Sequence, residues 1–452
     1  MHSASARDGE LVDVAVVGAR CAGSAAAIAL ARAGRRVVAL DRVAFPADAN
    51  STHLLWPAGV AELKALGAFD RVRALGAPPL PVAIGVGGGY TVRGHFTPVD
   101  GIDHAWCVRR TGLDAALVET AREAGAEVRE RTRVTAVLWD RSRAVGVRYE
   151  DAAGAAHELR ASLVVGADGR RSTVAGLVGA RVPYRSRPSG RACFYAYWND
   201  GRPDWRHVAA QWRVGAELGT AFPCDAGLVL VLLQPPRRRT SEFAADREGV
   251  YLATVASISG LAERLDGSQL AGKVRSATDL ESYFRRSSGP GWALAGDAGH
   301  FKDPVTAQGI RDALRFGRLL GESAAATLDE PRALDAALAT WERRRELECL
   351  ETYQWTDALA RGESMTLLER ELYRHAARTP PLAREMLDVF SRTRRPAQLL
   401  TARRLLRYTA TAALRQPELA GALARETRRD LRTALRDERE RHRVRRERRS
   451  PA

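Results

Sequence analysis

The sequence predicts an α/β protein with a central parallel sheet, an inserted antiparallel sheet and a helical C-terminal region. Two apolar runs, 11–17 and 37–40, flank a helix of small residues, as expected for parallel strands buried on both faces. Residues 181–285 are rich in strand-forming and aromatic side chains, and residues 331–452 lack strand patterns. A chain of 452 residues is long enough for two or three domains.

The first unit, residues 11–41, is typical of a dinucleotide-binding βαβ unit. A turn from Gly18 to Gly23 follows the first strand, and Asp41 ends the second strand about 20 positions later. Such a turn directs a helix N-terminus at a pyrophosphate, while the acidic residue binds ribose hydroxyls. Arg20 replaces the middle glycine of G-x-G-x-x-G, and its own charge could reach the phosphates instead. The alternative is an α/β unit that binds no ligand.

Two later turns also follow apolar strands and carry a carboxylate beside a glycine. Asp168 and Gly169 follow residues 163–167, and Gly296 and Asp297 follow residues 292–295. A carboxylate in such a turn can accept hydrogen bonds from ligand hydroxyls. Beyond the last turn, Pro304 and the sequence Gln308-Gly309-Ile310 open a helix predicted to run through Leu320, whose N-terminus favours negative charge.

The remaining segments are assigned from their local patterns. A helix is expected over 58–66, and glycine, proline and β-forming residues predict a hairpin within 76–100. Thr111 caps a helix that ends near Gly125. Segments 128–137 and 144–149 alternate like the strands of a meander.

The basic charge of the chain lies partly in its tail. The net charge is +16, and residues 428–449 hold 11 arginines against 5 acidic residues. A nucleic-acid-binding tail is one interpretation. Because the acids are interleaved and the stretch has no aromatic residue, we expect a solvated helix or a frayed terminus, and no nucleic-acid partner.

Cysteine spacing and hydropathy indicate the compartment in which the protein is expected to work. The five cysteines are scattered without a C-x-x-C pair, which excludes a thiol-ligated metal site of common spacing and predicts a reducing cytoplasmic location. We expect no bound metal. The N-terminus lacks a signal-peptide pattern, and the longest other apolar run, 228–233, is too short to span a bilayer. We therefore expect a cytoplasmic monomer or dimer with no membrane span.

The three acid-and-glycine turns, in this order, resemble those of the single-component FAD-dependent monooxygenases of the aromatic-hydroxylase class, whose relatives include geranylgeranyl reductases and flavin halogenases. The resemblance covers roughly residues 11–325 and is strongest from Gly296 to Ile310. It implies a Rossmann-like FAD-binding domain with an inserted antiparallel-sheet substrate domain and a helical C-terminal region. The expected boundaries are 1–75, 101–180 and 286–330 for the FAD-binding domain, 76–100 and 181–285 for the substrate domain, and 331–452 for the helical region with its basic tail.

The resemblance also implies roles for individual residues. The equivalent of Asp297 holds the ribityl chain of FAD, that of Asp41 holds the adenosine ribose, and Arg110 matches a flavin-side arginine. Pro304 and Gly309 match the flavin face where oxygen reacts, and His53 is a tentative third catalytic residue. The expected FAD-binding residues are Gly18, Ala19, Arg20, Cys21, Ala22, Gly23, Asp41, Arg42, His53, Arg110, Val134, Asp168, Gly169, Gly296, Asp297, Pro304, Gln308, Gly309 and Ile310. The expected substrate contacts are Tyr195, Tyr197, Trp212 and Phe222, although aromatic side chains in such a segment belong to the core more often than to a pocket.

Three positions depart from the family pattern. His53 stands where an arginine is common, Arg311 replaces an asparagine, and Ala175 replaces the arginine that closes the second turn. These changes bear on how a nicotinamide cofactor would bind. His53 could be a flavin neighbour, a substrate base or a residue at a helix start, and we expect His300 to be structural.

The resemblance implies an FAD-dependent monooxygenase that uses NADPH or NADH and O₂. Its substrate would be a small aromatic or polycyclic molecule of the secondary-metabolite type, which it would hydroxylate or epoxidise. Two alternatives on the same scaffold are an FAD-dependent reductase of isoprenoid double bonds and a flavoprotein cyclase that uses FAD without redox chemistry.

Overall fold

The computed structural model describes residues 10–447. Within that range the strands are β1 (Glu10–Val17), β2 (Val37–Leu40), β3 (Leu54–Leu55), β4 (Val82–Gly87), β5 (Tyr90–His95), β6 (Trp106–Cys107), β7 (Glu127–Arg129), β8 (Arg133–Asp140), β9 (Arg143–Glu150), β10 (Ala156–Gly166), β11 (Arg185–Pro188), β12 (Cys193–Asn199), β13 (Val208–Val214), β14 (Glu217–Pro223), β15 (Leu228–Leu233), β16 (Gln269–Ala277), β17 (Glu281–Phe284), β18 (Ser288–Gly289), β19 (Trp292–Leu294) and β20 (His300–Phe301).

The α-helices of the same range are α1 (Cys21–Arg32), α2 (Pro57–Ala65), α3 (Phe69–Arg73), α4 (Arg110–Glu123), α5 (Thr173–Leu177), α6 (Thr240–Ala245), α7 (Arg247–Ser257), α8 (Ser259–Arg264), α9 (Gly309–Ala325), α10 (Pro331–Leu359), α11 (Leu367–Ala376), α12 (Pro380–Phe390), α13 (Pro396–Leu399), α14 (Ala402–Arg415) and α15 (Ala420–Glu447).

A parallel sheet forms the centre of the molecule. Its strands run in the order β18-β19-β10-β1-β2-β7, and the neighbours from β19 to β7 pair in parallel, whereas the edge strand β18 is antiparallel to β19. Helices α1 and α9 pack tightly against each other beside this sheet. Two glycines of α9 permit that approach, because a Cβ on Gly317 would lie 2.4 Å from the Ala22 carbonyl oxygen and one on Gly321 would lie 2.7 Å from that of Ala26.

A second, seven-stranded sheet has the order β16-β12-β15-β14-β13-β4-β5. Only its β4–β13 pair is parallel, and residues 82–95 join it as the β4–β5 hairpin. One face of this sheet is covered by α6, α7 and α8. The other face, which carries Tyr195 and Phe222, packs toward Leu54 and Ala307 near the parallel sheet.

The segment expected to form one strand over 128–137 is divided in the structure. β7 extends the parallel sheet, whereas β8 belongs to an antiparallel meander with β9 and β10. Arg131 between them adopts a left-handed backbone conformation with φ 54°, and the Thr132 amide donates to the Asp41 carbonyl at 2.9 Å. This sharp turn interrupts the alternation that the sequence suggested.

The C-terminal region is helical, and its last helix is docked. α15 packs against α10, α11 and α14, and buries Leu423 and Val444. Glu440 of α15 pairs with Arg185 Nε at 2.9 Å. Residues 428–447 thus form a helix, and Val444 is the one buried residue between 428 and 446, so the expected solvated helix is found there and not a frayed end. Residues 448–452 lie outside the described range.

The state of the cysteines and the length and hydropathy of the helices can be compared with the expectations from the sequence. All five cysteines are buried and none forms a disulfide. Within residues 10–447, none of the helices combines the length and the apolar character needed to cross a bilayer.

Candidate functional site

A cleft of about 1000 Å³, measured with its open mouth, lies where the carboxyl ends of β1, β10 and β19 face β12 of the second sheet. This is the edge at which open parallel sheets bind ligands. Its lining residues are Arg20, Cys21, Ala22, Asn50, Ser51, Thr52, Arg110, Ala167, Arg170, Cys193, Tyr195, Ala277, Leu280, Asp297, Phe301, Lys302, Pro304, Ala307, Gly309, Ile310 and Ala313. Nine of these were expected from the sequence: Arg20, Cys21, Ala22, Arg110, Tyr195, Asp297, Pro304, Gly309 and Ile310.

The first turn requires both of its glycines. Gly18 has φ +95°, and a Cβ there would lie 2.6 Å from the Ala167 carbonyl oxygen. A Cβ on Gly23 would lie 1.7 Å from the Gly18 carbonyl oxygen. The Asp41 carboxylate accepts hydrogen bonds from the Ala19 amide at 2.8 Å and the Val43 amide at 3.1 Å. Asp41 therefore holds the turn in shape, and its predicted contact with a ribose stays a prediction.

Arg20 and Arg110 converge on one buried carboxylate, Asp114. Arg20 Nη1 lies 2.6 Å from Asp114, and Arg110 donates to both Asp114 oxygens at 2.9 Å. The Cys21 thiol lies 3.3 Å from the same carboxylate. The Asp114 carboxylate thus pairs with Arg20, the side chain that was expected to bring positive charge to the cofactor phosphates. Its position four residues after Arg110 on one helix was the available signal.

The carboxylate of the second turn is used locally. Asp168 accepts hydrogen bonds from the Ser172 hydroxyl at 2.5 Å, the Thr173 amide at 2.6 Å and the Val174 amide at 3.1 Å. These bonds anchor the start of α5, and the cleft is lined by Ala167 instead. Arg42, Val134, Gly169 and Gly296 likewise lie outside the lining, and Val134 is buried in the core beside β9 and β10.

Asp297 points a free carboxylate at the cleft. It lies partly buried in the cleft wall, and its side chain has no hydrogen-bond partner among residues 10–447. Burial raises the pKa of Asp297, whereas the nearby charges of Arg170, Arg110 and Lys302 lower it. This carboxylate can accept hydrogen bonds from a ligand.

The chain from Pro304 to Ile310 presents a helix start to the cleft. Ala307 adopts a left-handed conformation with φ 51°, and α9 begins two residues later at Gly309. The amides of Gly309, Ile310 and Arg311 have no acceptor within the described chain, as expected in a first helical turn. Gln308 turns away from the cleft, since its amide nitrogen donates to the Phe390 carbonyl at 2.8 Å. The positive end of α9 therefore faces the ligand space.

His53 lies behind the cleft wall. Its Nδ1 is 2.7 Å from the Ser51 carbonyl oxygen and its Nε2 is 2.7 Å from the Tyr197 hydroxyl. A carbonyl only accepts, so Nδ1 carries the proton and Nε2 accepts from Tyr197. Burial lowers the pKa of His53 to about 4, which keeps the ring neutral at pH 7. With both nitrogens engaged and no face on the cleft, His53 is not placed to act as a substrate base.

The four expected substrate contacts are separated by the second sheet. Tyr195 lines the cleft, and its hydroxyl donates to Asn50 at 3.1 Å. Tyr197 and Phe222 lie on the same side but behind the lining. Trp212 faces the opposite side, in the core with α7 and α8, so direct contact with a ligand in the cleft is not available to it.

Sequence reasoning missed Lys302, which lies in the cleft wall. Its ammonium is 3.0 Å from His300 Nε2 and contacts the Asp312 carboxylate. Asp312, His300 and Cys349 could together ligate a metal by distance, but the Lys302 ammonium already supplies positive charge there. The sequence feature that could have drawn attention to Lys302 is that the chain contains only three lysines.

These features fit FAD. The Gly18–Gly23 turn is too tightly packed against its own backbone to accept a Cβ and brings Arg20, Cys21 and Ala22 to the cleft, Asp297 offers a carboxylate without a hydrogen-bond partner among residues 10–447, and the α9 start offers unpaired amides. The residues that would hold FAD are those of the first turn, Arg110, Asp297 and the Gly309 helix start.

Comparison with known proteins agrees with this fit. Residues 11–216 match the family described as FAD binding domain. The chain is 30% identical over 365 residues to digeranylgeranylglycerophospholipid reductase 2 of Methanopyrus kandleri, which covers 76% of this chain and 84% of that protein. The chain belongs to the FAD-dependent oxidoreductase family. The expected family and enzyme class are confirmed.

Further similarities extend over most of this FAD-dependent oxidoreductase. It is 31% identical over 327 residues to menaquinone reductase of Mycobacterium tuberculosis, covering 69% of this chain and 76% of that protein. Among solved structures, the myxobacterial chondrochloren halogenase CndH is 28% identical with a TM-score of 0.69, covering 76% of this chain and 82% of the halogenase. A flavoprotein/dehydrogenase from Cytophaga hutchinsonii, 21% identical with a TM-score of 0.73, covers 84% of this chain and 93% of its own. These structures confirm the α/β fold class.

Proposed function

We propose that this FAD-dependent oxidoreductase uses NADPH or NADH to reduce a carbon–carbon double bond of an isoprenoid-type substrate. The two relatives named above are each at least 30% identical over most of the chain and are named as reductases, of digeranylgeranylglycerophospholipid and of menaquinone. The observation that carries the proposal is the buried ammonium of Lys302 in the cleft wall. Reduction of a double bond needs a proton as well as a hydride, and this group can supply the proton.

The surroundings of Lys302 suit a proton donor. His300 Nδ1 lies 3.1 Å from the Tyr283 carbonyl, so Nδ1 carries the ring proton and Nε2 accepts from Lys302. Burial, followed by the charge of Lys302, lowers the pKa of His300 and keeps the ring neutral. Two of the three N–H groups of the ammonium are directed to His300 and Asp312, so a third N–H is left to donate to a ligand in the cleft that Lys302 lines.

The chain's other groups bind and orient. When bound, FAD supplies the hydride. The amides of Gly309 and Ile310 at the start of α9 stabilise negative charge on a ligand, and Asp297 accepts hydrogen bonds from ligand hydroxyls. Cys193, Leu280 and Phe301 form an apolar part of the wall that excludes water and accepts an apolar substrate.

Hydroxylation or epoxidation of an aromatic or polycyclic molecule is the second candidate. It is favoured by Pro304 and the Gly309 helix start, which line the cleft together at the positions matching the oxygen-reaction face of the monooxygenases. Under this candidate O₂ is a co-substrate.

One experiment separates these functions. The purified protein would be loaded with FAD, mixed with NADPH or NADH without oxygen, and then given a geranylgeranyl lipid or menaquinone. We expect bleaching of the flavin band and a product that has gained two hydrogen atoms. Oxygen consumption with a product carrying an added oxygen atom would establish the monooxygenase instead. If neither NADPH nor NADH bleaches the flavin band, the proposal that a nicotinamide is the electron donor is wrong. If product forms while the flavin stays oxidised, the protein is a cyclase.

Replacing Lys302 tests the proton donor. Methionine alone would take from the buried Asp312 carboxylate one of its two ion-pair partners and leave only Arg311 at 2.8 Å, at a cost of up to about 3–5 kcal/mol, so the test uses Lys302→Met/Asp312→Asn. We expect product formation to fall about 100-fold or more, while the flavin is still bleached by the nicotinamide. Lys273→Met, at an exposed lysine on β16, is the matched control. Wild-type turnover in the double variant would exclude Lys302 as the donor.

A further inference from the structure

A second concavity, which we call the arginine basin, adjoins the cleft. Its volume is about 940 Å³ with its open mouth. Four arginines and two acids line it together with three uncharged residues: Arg170, Arg171, Arg181, Arg285, Asp279, Glu281, Ser172, Pro183 and Tyr283. No role in the oxidoreductase chemistry described above uses this set.

The most buried of these arginines lacks a carboxylate partner. Arg285 is 9% exposed, and its Nη1 reaches only the carbonyls of Arg170 at 3.3 Å and Ala298 at 3.2 Å. Its Nε has no hydrogen-bond partner within the described chain. Arg264, another buried arginine, is paired with Asp200 at 2.8 and 2.9 Å. Arg191 and Arg345 are buried without a carboxylate partner but donate to carbonyl and hydroxyl oxygens at 2.6–3.1 Å, closer than the acceptors of Arg285. The Arg285 guanidinium also lies over the Tyr283 ring at 4.1 Å, and an anion bound in the basin would give it a charged partner as well.

The exposed arginines of the basin are also unpaired. Arg171 and Arg181 make no ion pair or hydrogen bond with any residue in 10–447. The basin's own acids do not neutralise it, because neither Asp279 nor Glu281 forms an ion pair with its arginines in the described chain. Guanidinium groups match phosphate oxygens with paired donors, and several of them converging on one space are typical of phosphate recognition.

Arg170 connects the basin to the cleft. It lines both spaces, and its guanidinium lies 5.0 Å from the centre of the Phe301 ring, which is part of the cleft wall. Tyr283 of the basin lies 6.0 Å from the same ring. A ligand with an anionic end in the basin can therefore extend past Arg170 into the cleft.

We propose that the arginine basin binds a phosphate group of a second ligand, distinct from FAD, whose reactive end occupies the cleft. This rests on the proposed function for the identity of that ligand, which is either the reduced nicotinamide dinucleotide phosphate or a phosphorylated isoprenoid substrate. Both sources present the same chemistry, a phosphate ester, to Arg171, Arg181 and Arg285.

Binding is measured without catalysis, so the result is independent of the reaction. The full-length FAD-loaded enzyme would be titrated calorimetrically with 2′-phospho-ADP-ribose and, separately, with glycerol 1-phosphate. Unphosphorylated adenosine is the comparison ligand. We expect one phosphate ester to bind, adenosine to bind more weakly, and the affinity to fall as salt is raised. The ester that binds identifies the source.

Arg171→Gln/Arg181→Gln tests the basin itself, since both side chains are exposed and unpaired and their loss should not affect folding. We expect this variant to bind the ester at least tenfold more weakly. The matched control is Arg238→Gln/Arg403→Gln, which removes the same charge from exposed positions elsewhere and should bind as the wild type does. Absence of binding by either ester to the wild type, or equal affinities in the wild type and the basin variant, or an equal loss in the control, would overturn the proposal. A failure of double-bond reduction alone would overturn the proposed function and leave the binding result standing.

Discussion

At the scale of single residues, we propose that cofactor binding depends most directly on the Asp297 carboxylate. It faces the cleft without a protein hydrogen-bond donor. We therefore expect Asp297→Ala to weaken FAD binding at least tenfold, because a ligand hydroxyl would lose its acceptor. Flavin fluorescence during titration with FAD measures this. Asp297→Asn keeps an acceptor oxygen and should lose less. An alanine variant that is purified fully loaded with flavin would contradict the assignment.

His53 makes a contribution to stability that depends on pH. Burial lowers its pKa from 6.5 to about 4, so the folded protein favours the neutral ring. The resulting stabilisation is complete above about pH 6.5 and is lost as the pH falls toward 4, with a total of about 3 kcal/mol. The free energy of unfolding in urea at pH 8 and pH 4.5 measures it.

His53→Asn is the matched variant, because asparagine tolerates the φ of +63° found there and does not titrate. We expect a smaller loss of stability on acidification in this variant than in the wild type. Equal losses in both proteins would show that His53 is not responsible.

At the scale of secondary structure elements, the contact between α1 and α9 positions the two helix starts that face the cleft. α1 begins at the first turn and α9 begins at Gly309. The contact is close because Gly317 and Gly321 present no side chain to the α1 backbone. Any separation of the two helices would move both sets of amides away from one ligand.

Gly321→Val should force that separation. The added Cβ would begin 2.7 Å from the Ala26 carbonyl oxygen, so we expect a loss of about 3 kcal/mol in the free energy of unfolding and weaker FAD binding. Gly421→Ala in α15, where the nearest atom is 3.6 Å away, is the control and should stabilise by up to about 1 kcal/mol. Urea unfolding of both variants measures the difference, and equal stabilities would contradict the close-packing argument.

At the scale of the whole molecule, the C-terminal helices support the site from behind. Phe390 at the end of α12 accepts a hydrogen bond from Gln308, which precedes the α9 start. α15 covers α10 and α14 and buries Leu423, Thr427 and Val444. The basic tail is thus part of the folded structure over most of its length.

Removing residues 420–452 should therefore destabilise the protein. Loss of this buried apolar contact is expected to lower the melting temperature by at least about 5 °C, as measured by calorimetry. Leu435→Ala, at an exposed position of the same helix, is the control and should have no comparable effect. An unchanged melting temperature after the longer deletion would show that α15 does not contribute to folding.

The sequence by itself determined those elements whose conformation depends on residues close by in the chain. The apolar strands, the turns at Gly18, Asp168 and Gly296 and the helix start at Gly309 follow from local patterns of burial and backbone conformation. These patterns were sufficient for the family, the fold class and the cleft position of Arg110, Asp297 and Pro304.

Only the tertiary structure decided which side chains meet. Tyr197 donates a hydrogen bond to His53, 144 positions away in the sequence, and Asp114 accepts one from Arg20, 94 positions away. The arginine basin likewise brings residues 170–181 together with Arg285. Lys302 and Trp212 were likewise placed by strand order, one at the cleft and one on the far face of a sheet. The physical reason is that strand order and sheet packing set these distances, whereas periodicity and turn chemistry act over a few residues.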